Sequence, residues 1–74
     1  MKVKHREFFV AIGENLRAIR KQKGFSQQDI ANRCDVDRAK ISSIETAKED
    51  FVLTTLLEIA DALEVDVQEL LKPQ

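Results

Sequence analysis

The sequence predicts an all-α fold, a compact bundle of five short helices. Apolar residues recur at intervals of three and four along most of the chain, which is the spacing of amphipathic helices. The chain of 74 residues contains one Pro and two Gly, so it is poor in the residues that build the tight turns of a strand-rich fold. Its hydrophobic content of 43% and charged content of 34% are typical of a single globular domain.

The first predicted helix ends near Gly24 and has one apolar face. The residues of this face are Phe8, Ile12, Leu16 and Ile19. They follow one another by four, four and three residues, which places them on one side of a helix. Gly13 interrupts the stretch and costs about 1 kcal/mol relative to alanine, which allows a helix start near Ile12. Residues 1–11 are therefore an N-terminal extension with two alternatives, the start of a longer first helix or an arm.

The second and third predicted helices each begin at a capping residue. Ser26 is a suitable N-cap for a second helix that ends near Cys34. Asp37 is a suitable N-cap for a third helix that runs from Arg38 to about Thr46. Because the chain has one cysteine, it cannot form an internal disulfide, and Cys34 is expected to be buried as a small apolar residue.

The last two predicted helices follow a loop that begins at Ala47. The apolar stripe of the fourth helix consists of Leu53, Leu56, Leu57, Ala60 and Leu63. Asp66 marks the start of a short fifth helix over residues 67–71, and Pro73 ends it.

Charge is distributed unevenly along the chain. The formal net charge is −1, but residues 1–48 carry +5 and residues 49–74 carry −6. A basic half suits a polyanion, whereas an acidic half suits a solvated face or a protein partner. No apolar run approaches the roughly 20 residues that span a bilayer, and no signal-peptide segment follows the basic first residues. The chain is therefore expected to stay in the cytoplasm, with no membrane partner.

Residue types that carry catalysis or hold metals are sparse. The chain has one histidine, His5, and one cysteine, too few for the usual zinc sites. No Ser/His/Asp arrangement or Gly-rich phosphate loop is present. We therefore expect a protein that is not an enzyme and that needs no cofactor.

Three blocks in a fixed order resemble the lambda-repressor/Cro-type helix-turn-helix family, also called the XRE family. The blocks are GFSQQDIA (24–31), VDRAKISSIE (36–45) and LLEIADAL (56–63). The resemblance assigns residues 12–74 to one helix-turn-helix DNA-binding domain. It implies a five-helix bundle, with helices 2 and 3 forming the motif, that binds a pseudo-palindromic operator in double-stranded DNA as a homodimer.

The third helix, the recognition helix of this motif, has two different sides. At about 100° per residue, one side consists of Ile41, Ile44 and Glu45. The opposite side consists of Ala39, Ser42, Ser43 and Thr46, flanked by Arg38 and Lys40. Such small residues allow a helix to enter a major groove, where Arg38 can reach guanine O6 and N7, Lys40 is suited to a phosphate, and the serines read bases through water. The alternative is an ordinary solvated helix face, which explains the polarity but not four small outward residues.

The resemblance also implies roles for residues outside the outer side of the recognition helix. Gln27 is expected to contact the DNA backbone and to support the recognition helix. Arg20 and Glu45 are expected to form a structural ion pair, in agreement with the inward position of Glu45, since a buried carboxylate needs a partner. Lys48 lies in a loop that contacts phosphates in the family, although the two acidic residues that follow it should weaken such contacts.

The chain departs from the family pattern at Phe51, where proline is usual, and at three positions where glycine is usual. The residues that stand where glycine is usual are Asp35, Ala47 and Glu64. A left-handed backbone at Asp35 would be strained, because non-glycine residues rarely adopt it. The other departures affect the geometry of the loops.

The sequence therefore predicts a transcriptional regulator of repressor or controller type that binds specific DNA sequences as a homodimer. Phe9 and either Leu70 or Leu71 are candidates for the two-fold interface. The alternative is an antitoxin or protein-interaction module whose main partner is a protein such as a toxin, and the acidic residues 49–74 favour it. The two functions differ in salt response, because DNA binding weakens steeply as salt rises.

Overall fold

Five α-helices lie between residue 6 and residue 71 of the chain. The structure is a computed structural model and describes residues 1–73. A single 3-10 turn over Val3–His5 precedes them. The helices are α1 (Arg6–Gln22), α2 (Gln27–Ala31), α3 (Arg38–Glu45), α4 (Leu53–Leu63) and α5 (Val67–Leu71). Residues 1–73 contain no strand, so the prediction of an all-α fold with five helices is confirmed.

Helix α1 is longer than a start near Ile12 would give. Residues 6–11 form its first turns, so the structure has the longer helix rather than an arm. Gly13 is buried where α1 crosses the end of α3, and a Cβ atom on it would lie 2.7 Å from the carbonyl oxygen of Glu45 and would also overlap that of Ile44. The close approach of two backbones therefore explains a glycine that is unfavourable for the helix itself.

The apolar face of α1 includes Phe9 rather than Phe8. Phe8 is exposed, which contradicts its predicted place on the buried stripe. Phe9 packs edge-on against Phe51, with ring centroids 5.3 Å apart. Phe8 is four and Phe9 three residues before Ile12, so helical spacing allows either on this face, and the packing of Phe51 decides for Phe9.

The core is formed by residues from every α-helix. Its fully buried large side chains are Leu16, Ile30, Ile41, Ile44, Leu56, Ile59, Leu63 and Leu70. On α4, the predicted stripe is wrong for Leu53 and Leu57, which are both exposed. Ile59 belongs to the core instead. It lies three residues after Leu56 and four before Leu63, so the three side chains form the buried face of α4.

Helix α2 ends at Ala31, three residues before the predicted end. Asn32 is its C-cap, and the chain turns at once toward α3. Cys34 therefore lies in the turn and is half-buried rather than buried, with its Sγ 3.3 Å from the carbonyl oxygen of Ile30. Arg33 fixes the turn to α4, because its Nε donates to the carbonyl oxygen of Ala62 at 2.9 Å.

Left-handed backbone occurs at two of the three positions where glycine is usual in the family. Ala47 has φ 53° and Glu64 has φ 59°, whereas Asp35 does not have a positive φ, so the strain expected there is absent. Each left-handed non-glycine residue costs roughly 1–3 kcal/mol. At Glu64, the backbone N–H closes the end of α4 by donating to the carbonyl oxygens of Ala60 and Asp61.

A buried ion pair joins α1 to α3. Arg20 Nε donates to Glu45 Oε2 at 2.7 Å and Arg20 Nη2 donates to Glu45 Oε1 at 3.0 Å. The side chains are 10% and 3% exposed. The hydrogen bonds to Glu45 raise the pKa of Arg20 above its already high value, so the guanidinium stays charged. Its Nη1 donates to the carbonyl oxygen of Phe25 at 2.8 Å, so the ion pair also fixes the turn after α1.

We expect Glu45→Ala to lower the free energy of unfolding by about 3–5 kcal/mol, because it leaves the Arg20 guanidinium buried without its carboxylate. Arg20→Ala should have a similar effect. Urea unfolding followed by circular dichroism measures both changes. The matched control is Glu69→Ala, which removes an exposed ion pair with Lys72 and should cost less than about 1 kcal/mol. A Glu45→Ala variant as stable as this control would contradict a structural role for the pair.

Candidate nucleic-acid interface

The start of α2 is fixed by a reciprocal pair of hydrogen bonds. The Asp29 N–H donates to Ser26 Oγ at 2.9 Å, and the Ser26 N–H donates to Asp29 Oδ2 at 2.8 Å. Ser26 is therefore the N-cap, as predicted. The hydrogen bonds from the Ser26 backbone and then from its side chain lower the pKa of Asp29, so the capping carboxylate stays ionised to a lower pH than a free aspartate.

Gln27, the first residue of α2, reaches the buried ion pair. Its Nε2 donates to Glu45 Oε1 at 3.1 Å, the oxygen that also accepts from Arg20. Three helices therefore meet at one carboxylate, since Arg20 comes from α1 and Glu45 from α3. This contact fixes how α3 lies against α2, which is the support that the resemblance implies for Gln27.

Helix α3 starts at the predicted N-cap and buries the predicted side. Asp37 Oδ1 accepts the N–H of Lys40 at 2.8 Å. Ile41 and Ile44 are buried in the core. The helix is therefore held from its inner side, and the other side is directed away from the bundle.

The outward side of α3 carries mostly small, polar side chains and is exposed at the start of the helix. Arg38 and Ala39 are exposed, and Ser42 and Ser43 are half-buried. Within residues 1–73, Arg38 forms no ion pair, so its guanidinium is free for a ligand. The surface therefore combines a free cation with side chains small enough to let the helix backbone approach another molecule.

Thr46 is exposed at the C-terminal end of this surface. Its Oγ1 donates to the carbonyl oxygen of Ser42 at 2.8 Å, so the hydroxyl hydrogen is already used within the helix. Lys48 follows after the left-handed Ala47 and is exposed. The structure thus brings these residues to one end of α3, and it brings Arg38 to the other.

Lys40 is not free, which differs from its expected role as an open phosphate contact. Its Nζ lies 3.3 Å from Glu49 Oε1 and donates to the carbonyl oxygen of Asp50 at 2.8 Å. Sequence reasoning predicted that these acidic residues would weaken phosphate contacts by Lys48, and it missed their pairing with Lys40. Nine residues separate Lys40 from Glu49, so no local helical spacing indicates the pair.

Residues 1–73 present neither a metal-binding cluster nor a membrane-spanning helix. No group of three or more His, Cys, Asp and Glu side chains is arranged to hold a metal ion. No helix in this part of the chain is long and apolar enough to cross a membrane.

Comparison with known proteins identifies relatives along nearly the whole chain. The family described as helix-turn-helix domain matches residues 11–72. A hypothetical transcription factor of Neisseria meningitidis serogroup B (strain ATCC BAA-335 / MC58) is 36% identical over 59 residues. The match covers 80% of this chain but 56% of that protein, so the chain spans little more than half of this relative's length.

Solved structures of restriction-modification controller proteins share the fold. C.AhdI from Aeromonas hydrophila superposes with a TM-score of 0.80 at 32% identity, covering 84% of this chain and 94% of that one. C.Esp1396I, solved as a tetramer in complex with its natural 35 base-pair operator, gives 0.75 at 29% identity, covering 88% and 96%. The resemblance stated from the three sequence blocks is thus confirmed, and the chain belongs to the helix-turn-helix family of the XRE or Cro-like type.

Proposed function

We propose that this protein binds double-stranded DNA through α3 as a homodimer and regulates transcription. The observation that carries the proposal is the outward side of α3, with the free Arg38 at its start and small residues behind it. The relatives support it: one is described as a transcription factor, and C.Esp1396I binds its operator as a tetramer. A regulator of this kind works on DNA without catalysis or a cofactor, in the bacterial cytoplasm.

In the proposed complex, α3 enters the major groove and different residues perform different tasks. Arg38 makes a bidentate contact with guanine O6 and N7, which specifies a base pair. Ala39, Ser42 and Ser43 allow close approach, and the serines contact bases through water. Thr46 borders the same surface at the other end of the helix.

Contacts with phosphates position α3 without reading the sequence. Lys48 and Lys40 supply positive charge beside the recognition surface. Gln27 can contact a phosphate through the second N–H of its amide nitrogen, since the amide has two donors and one of them is held by Glu45. Because α3 is held on its inner side by the ion pair between Arg20 and Glu45, these contacts fix the register of the helix in the groove.

The homodimer supplies a second recognition helix, because one helix covers only a few base pairs. Of the interface residues predicted from the sequence, Leu70 is fully buried and is excluded, whereas Leu71 and Phe9, which packs against Phe51, are half-buried. The exposed apolar residues of α4 are better placed: Leu53 is 63% and Leu57 is 42% exposed, four residues apart on one helix face. We assign the two-fold contact to this face.

An antitoxin-like function is the second candidate, and the acidic surface of α4 and α5 favours it. The exposed acidic residues of this surface are Asp61, Glu64, Asp66 and Glu69. A surface of one charge sign steers an oppositely charged partner, here a basic protein such as a toxin. Both functions can coexist, because this surface and the outer side of α3 belong to different helices.

DNA binding should weaken steeply with salt if the proposed function is right. With about four phosphate contacts per dimer, affinity for double-stranded DNA should fall roughly a hundredfold between 50 and 200 mM salt. Selection from a random duplex library followed by titration at several salt concentrations measures both operator and slope. Failure to bind any duplex at 50 mM salt, together with tight capture of a basic protein, would favour the antitoxin function instead.

Arg38→Ala should change base preference, whereas Lys40→Ala should not. Loss of a bidentate guanine contact costs about 1–3 kcal/mol and relaxes discrimination at one base pair. Loss of a phosphate contact weakens binding to all sequences alike. The measurement is a titration of both variants against the selected operator, its single-base variants and random DNA. An unchanged ranking of sequences with Arg38→Ala would show that Arg38 contacts a phosphate and that DNA shape or the small residues provide specificity.

Leu57→Asp should convert the dimer to a monomer and should weaken operator binding in parallel, because a buried unpaired carboxylate is costly at an interface. Sedimentation at micromolar concentrations gives the oligomeric state. The matched control is Phe8→Asp, which changes an exposed apolar residue on α1 and should leave the dimer intact. The reverse outcome, a monomer with Phe8→Asp and a dimer with Leu57→Asp, would move the interface to α1.

A further inference from the structure

We propose that Glu49 limits the DNA affinity of this protein by pairing with Lys40, so that the loop after α3 competes with DNA phosphates for this cation. The inference rests on the proposed function, since it concerns how strongly the same surface binds. It goes further by assigning a role to an acidic residue that has no place in an interface for a polyanion. Glu49 would act on affinity for all sequences rather than on the choice between them.

The position of Glu49 is imposed by the loop. After α3, the N–H of Ala47 donates to the carbonyl oxygen of Ile44 at 3.2 Å. The N–H of Lys48 donates to the carbonyl oxygen of Ser43 at 3.0 Å. These bonds and the left-handed, buried Ala47 turn the chain back along the side of α3. The carboxylate of Glu49 is therefore brought beside Lys40.

The far end of the same loop is fixed as well. Phe51 packs against Phe9 of α1 with ring centroids 5.3 Å apart. The carbonyl oxygen of Asp50 accepts from Lys40 Nζ at 2.8 Å. Lys40 thus contacts two consecutive loop residues, and its side chain is 29% exposed, which is low for a lysine offered to a phosphate. The ammonium is engaged by the protein before DNA arrives.

The ion pair between Lys40 and Glu49 is weak enough for a DNA phosphate to compete with the carboxylate. Glu49 is exposed, and an exposed pair contributes little to stability, so a phosphate can displace the carboxylate. Displacement carries two costs: the pair is lost, and the freed carboxylate then lies near the polyanion. Because every DNA sequence presents the same phosphates, both costs apply equally to operator and to random DNA.

The test is a double-mutant cycle with Glu49→Gln, Lys40→Gln and the double variant. Glutamine keeps the size of each side chain approximately and removes its charge. Asp50 is left unchanged, because its carboxylate lies 3.0 Å from the amino group of Met1 and a substitution would disturb a second ion pair. The matched control is Glu69→Gln, which removes the same charge from the exposed pair between Glu69 of α5 and Lys72.

Glu49→Gln should raise affinity for operator and random duplex by the same factor, about three- to eightfold per protomer at 0.1 M salt, and should steepen the salt slope by about 0.9 per protomer. The gain should shrink toward 1 M salt. Lys40→Gln should cost more affinity in the Glu49→Gln background than in the wild type. Titrations at several salt concentrations measure all four proteins, and Glu69→Gln should leave affinity unchanged within about twofold.

Two results would overturn the inference while leaving the proposed function intact. The first is a wild-type protein that binds DNA with the same affinity and salt slope as Glu49→Gln. The second is an equal gain from Glu49→Gln when Lys40 is already glutamine, which would show that the charge of Glu49 acts without the pair. Absence of DNA binding by all variants at 50 mM salt would instead overturn the proposed function.

Discussion

The ion pair between Arg20 and Glu45 determines where the recognition helix lies. It connects α1 to α3 inside the bundle, and Gln27 adds α2 by donating to the same carboxylate. Removing two charges from water is costly, so the pair contributes less to net stability than its short distances suggest. The ion pair mainly fixes the position of α3. Because a charged group in the interior must keep its partner, alternative packings of α3 are strongly disfavoured.

Backbone geometry supports the same end of α3. Gly13 lets α1 approach the last carbonyl groups of α3, and Ala47 reverses the chain just beyond them. The left-handed conformation of Ala47 has a cost that glycine would avoid, yet its methyl group is buried. Apolar burial partly offsets the strain, because a buried methyl group contributes about 0.8 kcal/mol. The end of α3 is therefore held by charge, by close packing and by a strained turn within a few residues.

Charge is arranged so that cations and anions act at different places. Among residues 1–73, Arg38 at the start of α3 has no ion-pair partner, whereas Lys40 pairs with a carboxylate of the following loop. Four acidic residues in and between α4 and α5 are exposed, namely Asp61, Glu64, Asp66 and Glu69, and Glu64 pairs with Arg33 at 3.0 Å. A protein with net charge −1 in this way exposes a cation at the start of α3 without a large excess of basic residues.

The sequence by itself determined the fold class, the two N-caps of the helix-turn-helix motif and the family, because these depend on local spacing and on residues close together in the chain. It also indicated the Arg20–Glu45 pair, through the inward position of Glu45 and the family resemblance. The tertiary structure alone decided that Phe9 rather than Phe8 is packed and that Leu53 and Leu57 are exposed, since burial at neighbouring positions of one helix depends on which other helices and loops cover them. It also decided that Lys40 pairs with Glu49, because that contact depends on the path of a loop, and loop paths are set by packing at both ends rather than by periodicity.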